Sequence, residues 1–433
     1  MSKDQAWYTK PLGHVIRDIG DGGTPNTNKN EYFGGSIPWV VIQDIRKEIS
    51  TTKTTLTQLG LDSCSAKLWP PGAVILSTGA TIGEVGMAVI PVATKQGIHG
   101  IVCANDLLSI FLYYKLQTLR DFLNANAQGS TIREVRAPFI RTIPICFPSS
   151  LSEQKKIGEI LLTIDSTIEQ TEALIAKHQR IKTGMMQDLL SRGIDEHGAL
   201  RYERTHSFKD SPLGRIPADW DVMSLGDVAE IIDPNPSHRY PPPCDTGVPI
   251  ASTENFQADN EFDLTRCENV PRSVFEEQLG RCRYQPADVV FARKGRIGLA
   301  RPYGSTEKVF SHTVVIIKAK VTDQVVTQFL LWVVRNREFF RQIEKRMNSN
   351  SGVPTLGVQF LAAIPILVPK TREQQRIVHM MSQVEAALER EQNSLRKLRS
   401  LKTGLMQDLL TGRRRVTALL EQEPKREKIY ARH

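Results

Sequence analysis

The chain has 433 residues, 40% of them hydrophobic, and 56 Lys and Arg against 47 Asp and Glu give it a net charge of +9. This length accommodates two to four domains. No run of about 18 apolar residues occurs and Met1-Ser2-Lys3-Asp4 opens no signal-peptide core, so the expectation is a cytoplasmic protein with no membrane span. The six cysteines are scattered with no Cys-x-x-Cys, which fits a reducing compartment and predicts neither a structural disulfide nor a metal site. The positive charge permits a polyanionic partner without establishing one.

Residues 1–150 read as a mixed domain of short strands. Asp21-Gly22-Gly23-Thr24-Pro25 is a turn; Ile37–Ile42 and Ala73–Leu76 are strands. Between Leu76 and Val85, two glycines among Ser77, Thr78 and Thr81 indicate a hairpin or loop with exposed backbone. Leu107 to Asn124 is predicted as a helix that breaks at Asn124–Thr131. Ile143–Pro148 is a final short strand.

Residues 151–193 form a long amphipathic segment. Ile157, Leu161, Ile164, Ile168, Ile175 and Leu189 follow steps of three, four or whole multiples of their sum, the seam of a coiled coil. Ser150 stands three before Glu153, a capping-box spacing, and Gly193 marks the end. At about 1.5 Å per residue the helix is about 60 Å long, too long to bury inside one small domain. Residues 194–215, charged and rich in chain breakers, read as a linker.

The chain then repeats itself. Residues 216–370 echo the first domain in order: Val248-Pro249-Ile250 answers Ile37-Pro38-Trp39, Val289–Gly298 answers Val74–Gly83, Phe329–Arg346 answers the first helix, and Ile364–Pro369 answers Ile143–Pro148. Residues 371–412 carry a second seam through Ile377, Met381, Val384, Leu388, Leu395, Leu398, Leu405 and Leu409, with Thr371 three before Gln374 and Gly412 at the end. Lys182-Thr183-Gly184-Met185-Met186-Gln187-Asp188-Leu189-Leu190 returns as Lys402-Thr403-Gly404-Leu405-Met406-Gln407-Asp408-Leu409-Leu410. A duplication of this kind makes the two long helices each other's partner; the alternative is two surface helices packing on their own domains. Lys182 and Lys402 interrupt the seam, as polar residues that set register do. Gly184 and Gly404 inside helices imply close approach of another backbone, or a bend, with close approach preferred. Residues 413–433 read as a charged tail. Between the two domains the scaffold is duplicated and the loops are not.

Catalytic motifs are sparse. Asp233-Pro234-Asn235-Pro236 lacks the adjacent prolines and aromatic residue of an amino-group methyltransferase motif and reads as a turn. Glu153-Gln154-Lys155 has nuclease-like spacing, but capping explains Glu153 better. No phosphate-binding glycine loop, nucleophile elbow or zinc motif occurs. His99 and His312 read as structural or surface residues, with a phosphate or base contact the alternative for His312. The strongest candidate is the loop after the Val289 strand, where Arg293, Lys294 and Arg296 flank Gly295. Arginine at a rigid turn can bond guanine bidentately and lysine neutralises phosphate; the alternative is a solvated basic surface. The first-domain counterpart offers Ser77, Thr78, Gly79 and Thr81 to phosphates or bases. Ser130, Thr131 and Arg133, and Asn348 and Asn350, are further DNA-binding candidates or plain helix-terminating turns.

Taken in order, Gly22-Gly23-Thr24-Pro25, Tyr32–Trp39, Arg293-Lys294-Gly295-Arg296-Ile297-Gly298, Ile143-Pro144-Ile145 leading to Glu153-Gln154, Gly214–Trp220 and the duplicated nonapeptide resemble the specificity subunit of type I restriction–modification enzymes. The first domain lacks the Gly-x-Ile-Pro lead-in to its tryptophan, and Pro234-Asn235-Pro236 replaces Gly-Gly-Thr-Pro in the second. The resemblance implies an α+β architecture: two pseudo-repeated mixed α/β target-recognition domains separated by two long antiparallel coiled-coil helices. It implies that each domain grips half of a bipartite, asymmetric site on double-stranded DNA. The helices would set the gap and dock two methylation subunits, with Gly184, Gln187, Asp188, Gly404, Gln407 and Asp408 as docking residues. Restriction subunits would join them. S-adenosylmethionine, ATP and Mg would sit on those partners, and this chain would bind no cofactor and perform no chemistry. Other readings are the specificity subunit of a methylation-only or related multisubunit restriction enzyme, a coiled-coil protein-assembly scaffold, and an autonomous methyltransferase or nuclease, which the missing motifs disfavour.

Overall fold

The computed structural model describes residues 6–129, 133–257, 260–320, 324–347 and 355–421. The chain divides into two interleaved units. The first comprises residues through Glu172 together with Ser394 onward; the second is Ala173–Asn393. Each unit holds one globular domain, part of one long helix and part of the other.

In the first unit the strands Ile16–Gly20, Ile98–Cys103, Val74–Ser77, Val85–Ala88 and Glu48–Ile49 form a five-stranded sheet in that order. A second sheet runs Thr54–Leu56, Phe33–Val40, Val92–Thr94, Leu68–Trp69. Val74–Ser77 is buried throughout, which is why it reads as a continuous apolar run rather than an alternating one. Trp7–Pro11 pairs antiparallel with Pro144–Pro148, so an early strand of the chain holds the strand that leads into the first long helix.

The second unit repeats this plan. Ala229–Ile232, Val314–Ala319, Val289–Ala292 and Ala300–Pro302 form one sheet; Asn269–Val270, Val248–Ala251 and Val309–Phe310 form the other. The same parallel pairing recurs, with Trp39 opposite Ala93 in one unit and Ile250 opposite Val309 in the other. Asp221–Ser224 with Pro365–Val368 reproduces the lead-in pairing.

Three local expectations are corrected. The helices predicted over Leu107–Asn124 and Phe329–Arg346 are each two, Ser109–Gln117 with Arg120–Ala125 and Thr327–Arg335 with Arg337–Met347. Thr118 Oγ1 donates back to Lys115 O at the first break. At the second, Asn336 adopts extended backbone and its Oδ1 accepts the Glu338 N–H, capping the next helix. The stretch that reads as a linker carries the hairpin Phe208–Ser211/Gly214–Pro217, and Arg201 ties it to Asp219 and Glu373. At the first long helix the capping box is half made. Ser150 Oγ accepts the Glu153 N–H at 3.3 Å, but the Glu153 carboxylate turns to Arg415, bonding it at 2.6 and 2.7 Å.

The long helices, Leu151–Leu189 and Thr371–Leu409, have 39 residues each. Within each unit they pair antiparallel: Asp165 meets Lys402 and Glu172 meets Arg399 in the first, and Lys182 meets Glu385 in the second. Ile157, Leu161, Ile164, Ile377, Met381 and Leu388 are buried, while Ile168, Ile175, Val384, Leu395 and Leu398 are half-buried. The first unit's core takes Ile157 and Leu161 from the start of one helix and Leu409 and Leu410 from the end of the other. The second takes Ile377 and Met381 with Leu189 and Leu190. Each closing leucine pair of the nonapeptide is thus a core plug, each side chain stabilising by about 1.5–3 kcal/mol.

A pair of glutamines fixes where each helix starts. Gln154 Nε2 donates to Asp106 O and Pro148 O at 2.8 and 2.9 Å, and its Oε1 accepts the Leu108 N–H at 2.8 Å. Gln374 does the same with Gln324 O and Pro369 O, both at 2.7 Å, and the Val326 N–H at 2.9 Å. Three backbone groups at a domain edge are satisfied by one amide, which locks helix to domain.

Candidate nucleic-acid interface

The loop between Val74–Ser77 and Val85–Ala88 folds around its own hydroxyls. Ser77 Oγ donates to Thr81 O and accepts the Glu84 N–H at 2.8 Å. Thr78 Oγ1 lies 2.8 Å from His99 Nδ1, and the N–H groups of Thr78 and Gly79 both donate to Gly97 O. Ser77, Thr78 and Gly79 are buried, whereas Thr81 is exposed. This corrects the expectation that all four face a ligand. A loop leaving a fully buried strand must satisfy its buried polar groups internally, so three residues build the loop and Thr81 stands at its tip. His99 is a packed residue whose pKa burial lowers, against the pull of Asp21. Asp21 Oδ1 accepts the N–H groups of Gly22 and Gly97, both at 2.8 Å. Arg133 is exposed and donates to Asn124 O at 2.8 Å. Ser130, Thr131, Asn348 and Asn350 lie outside the described residues.

In the equivalent loop of the second domain a buried arginine pairs with a partly buried aspartate. The N–H groups of Arg293 and Lys294 both donate to Thr313 O, the pattern of Thr78 and Gly79 with Gly97. Arg293 is only 4% exposed. Its Nε donates to His312 O at 2.9 Å, and its Nη2 to Asp233 Oδ2 at 2.5 Å and His238 Nε2 at 3.2 Å. A guanidinium so held could reach a base only by abandoning its carboxylate partner. The expectation of Arg293 as an exposed reader is therefore corrected to an anchor beneath the loop. Gly295 and Gly298 take φ of +72° and +90°, so the turn needs glycine at both. Arg296 is exposed and Lys294 half-buried. His312 stacks on His238 at 5.1 Å, and burial, then Lys294, His238 and Arg293, lower its pKa. The flanking Arg281 and Arg283 are engaged by Pro234 O and Glu230.

The duplicated nonapeptides expose the same positions. Gly184 and Gln187, and Gly404 and Gln407, face outward, while Asp188 pairs with Arg192 and Asp408 with Arg414. One turn earlier, Ile181 and Leu401 are 44% and 53% exposed. A Cβ on Gly184 or Gly404 would meet no atom within 4 Å, and the helix continues through both. The close backbone approach expected there is not made by the described residues of this chain.

The family model described as type I restriction modification DNA specificity domain matches residues 5–178 and 217–398, one copy in each half. The chain belongs to this family. It is 24% identical to the type I restriction enzyme MjaVIII specificity subunit of Methanocaldococcus jannaschii over 95% of this chain and 94% of that protein. It is 30% identical to the MjaIX specificity subunit of the same organism, over 50% of this chain and 51% of the relative, so the chain spans about half the length of that protein. In fold it is similar to the crystal structure of a type I restriction–modification system S subunit from M. genitalium, with a TM-score of 0.60, 15% identity, and 94% and 97% of the two chains covered.

Within this specificity-domain frame, three residues beyond the predicted site support the loops. Asp21 and Asp233 occupy matching positions after matching strands; Asp233 bonds Arg293 of the loop directly, and Asp21 holds Gly97, whose carbonyl accepts the N–H groups of Thr78 and Gly79. His238, with φ of +56°, completes the second brace. The visible signal was the aspartate shared by Asp21-Gly22-Gly23 and Asp233-Pro234-Asn235, obscured by the unlike residues that follow it. Among the described residues no group of His, Cys, Asp and Glu is arranged to hold a metal, and no helix is long and apolar enough to cross a membrane.

Proposed function

We propose that this chain chooses the DNA sequence for a type I restriction–modification enzyme. Each globular domain reads one half of a bipartite, asymmetric site, and the paired helices set the gap and dock two methylation subunits. The observation that carries this reading is a duplicated frame bearing unlike loops. The glutamine locks, seam lysines and loop backbone bonds recur in both units, whereas Thr78 and His99 in one loop give way to Arg293, Asp233 and His238 in the other. Two readers of one design but different surface suit two different half-sites about one helical turn apart.

Thr81, Arg133, Lys294, Arg296 and His312 are the proposed DNA contacts, with Ser77, Thr78, Gly79 and Arg293 supporting them. Lys294 and Arg296 would contribute salt-dependent phosphate binding. Gly184, Gln187 and Asp188 with Gly404, Gln407 and Asp408 give two like faces for two copies of one partner. The chain itself performs no chemistry on this reading. The methylation subunits hold S-adenosylmethionine and modify adenine, and restriction subunits bring ATP and Mg. Mapping methylated adenines in DNA from cells carrying this chain with its neighbouring subunits tests it. The expected result is one motif of two unlike half-sites at fixed spacing; methylation at a single contiguous motif, or independent of this chain, rejects it.

A further inference from the structure

The Arg293 ion pair sits beneath a group of side chains that reach the surface. Asp233 at the end of one strand, the turn at His312 before another, and the loop from Pro234 to Tyr240 meet there. His238 Nε2 faces both Arg293 Nη2 at 3.2 Å and Asp233 Oδ2 at 3.5 Å; since Arg293 can only donate, the neutral ring bonded to it accepts at Nε2 and carries its proton on Nδ1. That nitrogen has no partner among the described residues. His238 is exposed, and it is held in left-handed backbone, a conformation that non-glycine residues adopt at a cost. Its ring lies on His312 at 5.1 Å with 29° between planes, and Tyr240 meets His312 edge-on at 6.1 Å while remaining 54% exposed.

A strained backbone, a tautomer fixed from below and an exposed phenol beside it are expensive ways to make a plain turn. They set an imidazole and a phenol against the same His312 ring while both stay exposed, two hydrogen-bonding groups open to a ligand. We propose that His238 and Tyr240 are specificity-determining residues of the second domain, reading the acceptor edge of a purine (N7, and O6 where the base is guanine) in the major groove. His238 supplies its Nδ1–H and Tyr240 its hydroxyl. Arg293 is the positioning residue that sets the His238 tautomer and ring angle. The first domain, with Thr78 and His99 at the corresponding place, has no such pair and reads differently. This inference rests on the DNA-reading function proposed above and names the residues that carry it.

The test uses the full chain assembled with its methylation partners and a pool of duplex DNA randomised across both half-sites, with bound sequences counted. Tyr240→Phe removes only the exposed hydroxyl. His238→Gly removes the imidazole but keeps a residue that accepts the left-handed backbone, so a thermal melt separates folding from reading. Each variant is expected to relax the preference at one or two positions of a single half-site by roughly tenfold, leaving the other half-site unchanged. An unchanged preference, or an equal loss across all sequences, overturns the assignment. If the unaltered complex enriches no sequence, the DNA-reading function itself fails, and this inference with it.

Discussion

Lys402 Nζ lies 2.6 Å from Asp165 Oδ1, and Asp165 Oδ2 accepts the Tyr114 hydroxyl at 2.8 Å. The second unit repeats the bond with Lys182 Nζ 2.6 Å from Glu385 Oε1, under the ring of Trp332 instead of a tyrosine. These lysines interrupt the seam, as Thr171, His178 and Glu391 also do, and the carboxylates opposite them make register specific: a one-turn slip would leave an ammonium and a carboxylate part-buried and apart. Lys402→Ala is expected to lower the stability of the chain by about 1–3 kcal/mol in denaturant titration. Lys402→Met with Asp165→Leu should recover much of that loss. An unchanged midpoint for Lys402→Ala would show that the pair contributes nothing.

Glu385 gives the second unit an acid limit. Burial opposes its charge, but Arg335 and Lys182 outweigh burial and hold the carboxyl below its ordinary value of 4.5. A carboxyl with a depressed pKa in the folded state contributes stability that is complete above its unfolded value and disappears as pH falls through the folded one. Unfolding free energy measured from about pH 6 to about pH 3 should therefore fall below the ordinary glutamate range. Glu385→Gln should be less stable at neutral pH and show a shallower acid decline. An identical acid limb in both proteins would remove Glu385 from the account.

The two loop arginines separate by burial. Arg293→Ala leaves the partly buried Asp233 without its cation, and the expected destabilisation is about 1–3 kcal/mol. Arg296 is exposed, so Arg296→Ala should change stability by less than about 0.5 kcal/mol. It should instead lower the salt dependence of DNA binding by about one unit of slope, weakening all sequences alike. A large melting shift for Arg296→Ala, or none for Arg293→Ala, would reverse these roles.

The scaffold was legible because its signals are local or periodic. Ile157, Leu161 and Ile164 announce a helix face by spacing, Val74–Leu76 announces a buried strand by continuity, and the nonapeptide announces duplication by identity. Loop chemistry was less legible because it depends on pairs far apart in sequence. Arg293 and Arg296 look alike in the chain. What distinguishes them is Asp233, 60 residues away, which buries one and leaves the other in water. Ser77 and Thr78 posed the same problem, since a hydroxyl that folds a turn and one that binds a phosphate are the same residue until its partner is known. Residues 194–215 read as a linker for a related reason: charge and chain breakers are visible in the chain, whereas the partner of Arg201, Glu373, lies far away in sequence.

The glutamine locks allow each unit to be weakened separately. Gln154→Leu keeps the volume approximately but leaves Leu108 N–H, Asp106 O and Pro148 O without the amide that joins them. At about 1–3 kcal/mol for a buried group left unsatisfied, the expected loss is several kcal/mol, with hydrogen exchange increasing first in the first unit. Gln374→Leu should produce the same change in the second. Equal exchange in both units for either variant would argue against a local lock.

Gly184 and Gly404 offer an opposition between stability and assembly. Both lie within helices, where glycine is less favourable than alanine by about 0.8–1.0 kcal/mol, and neither has a neighbour that a methyl group would strike. Packing among the described residues therefore does not explain them. Gly184→Ala and Gly404→Ala should each raise the melting temperature of the isolated chain. If the space is reserved for a docked methylation subunit, beside the exposed Ile181 and Leu401, then Gly184→Trp and Gly404→Trp should each remove one bound partner while leaving the chain folded. The double variant should remove both. Sedimentation of the assembled complex measures this directly, and full occupancy with both tryptophans in place would move the docking surface elsewhere on the helices.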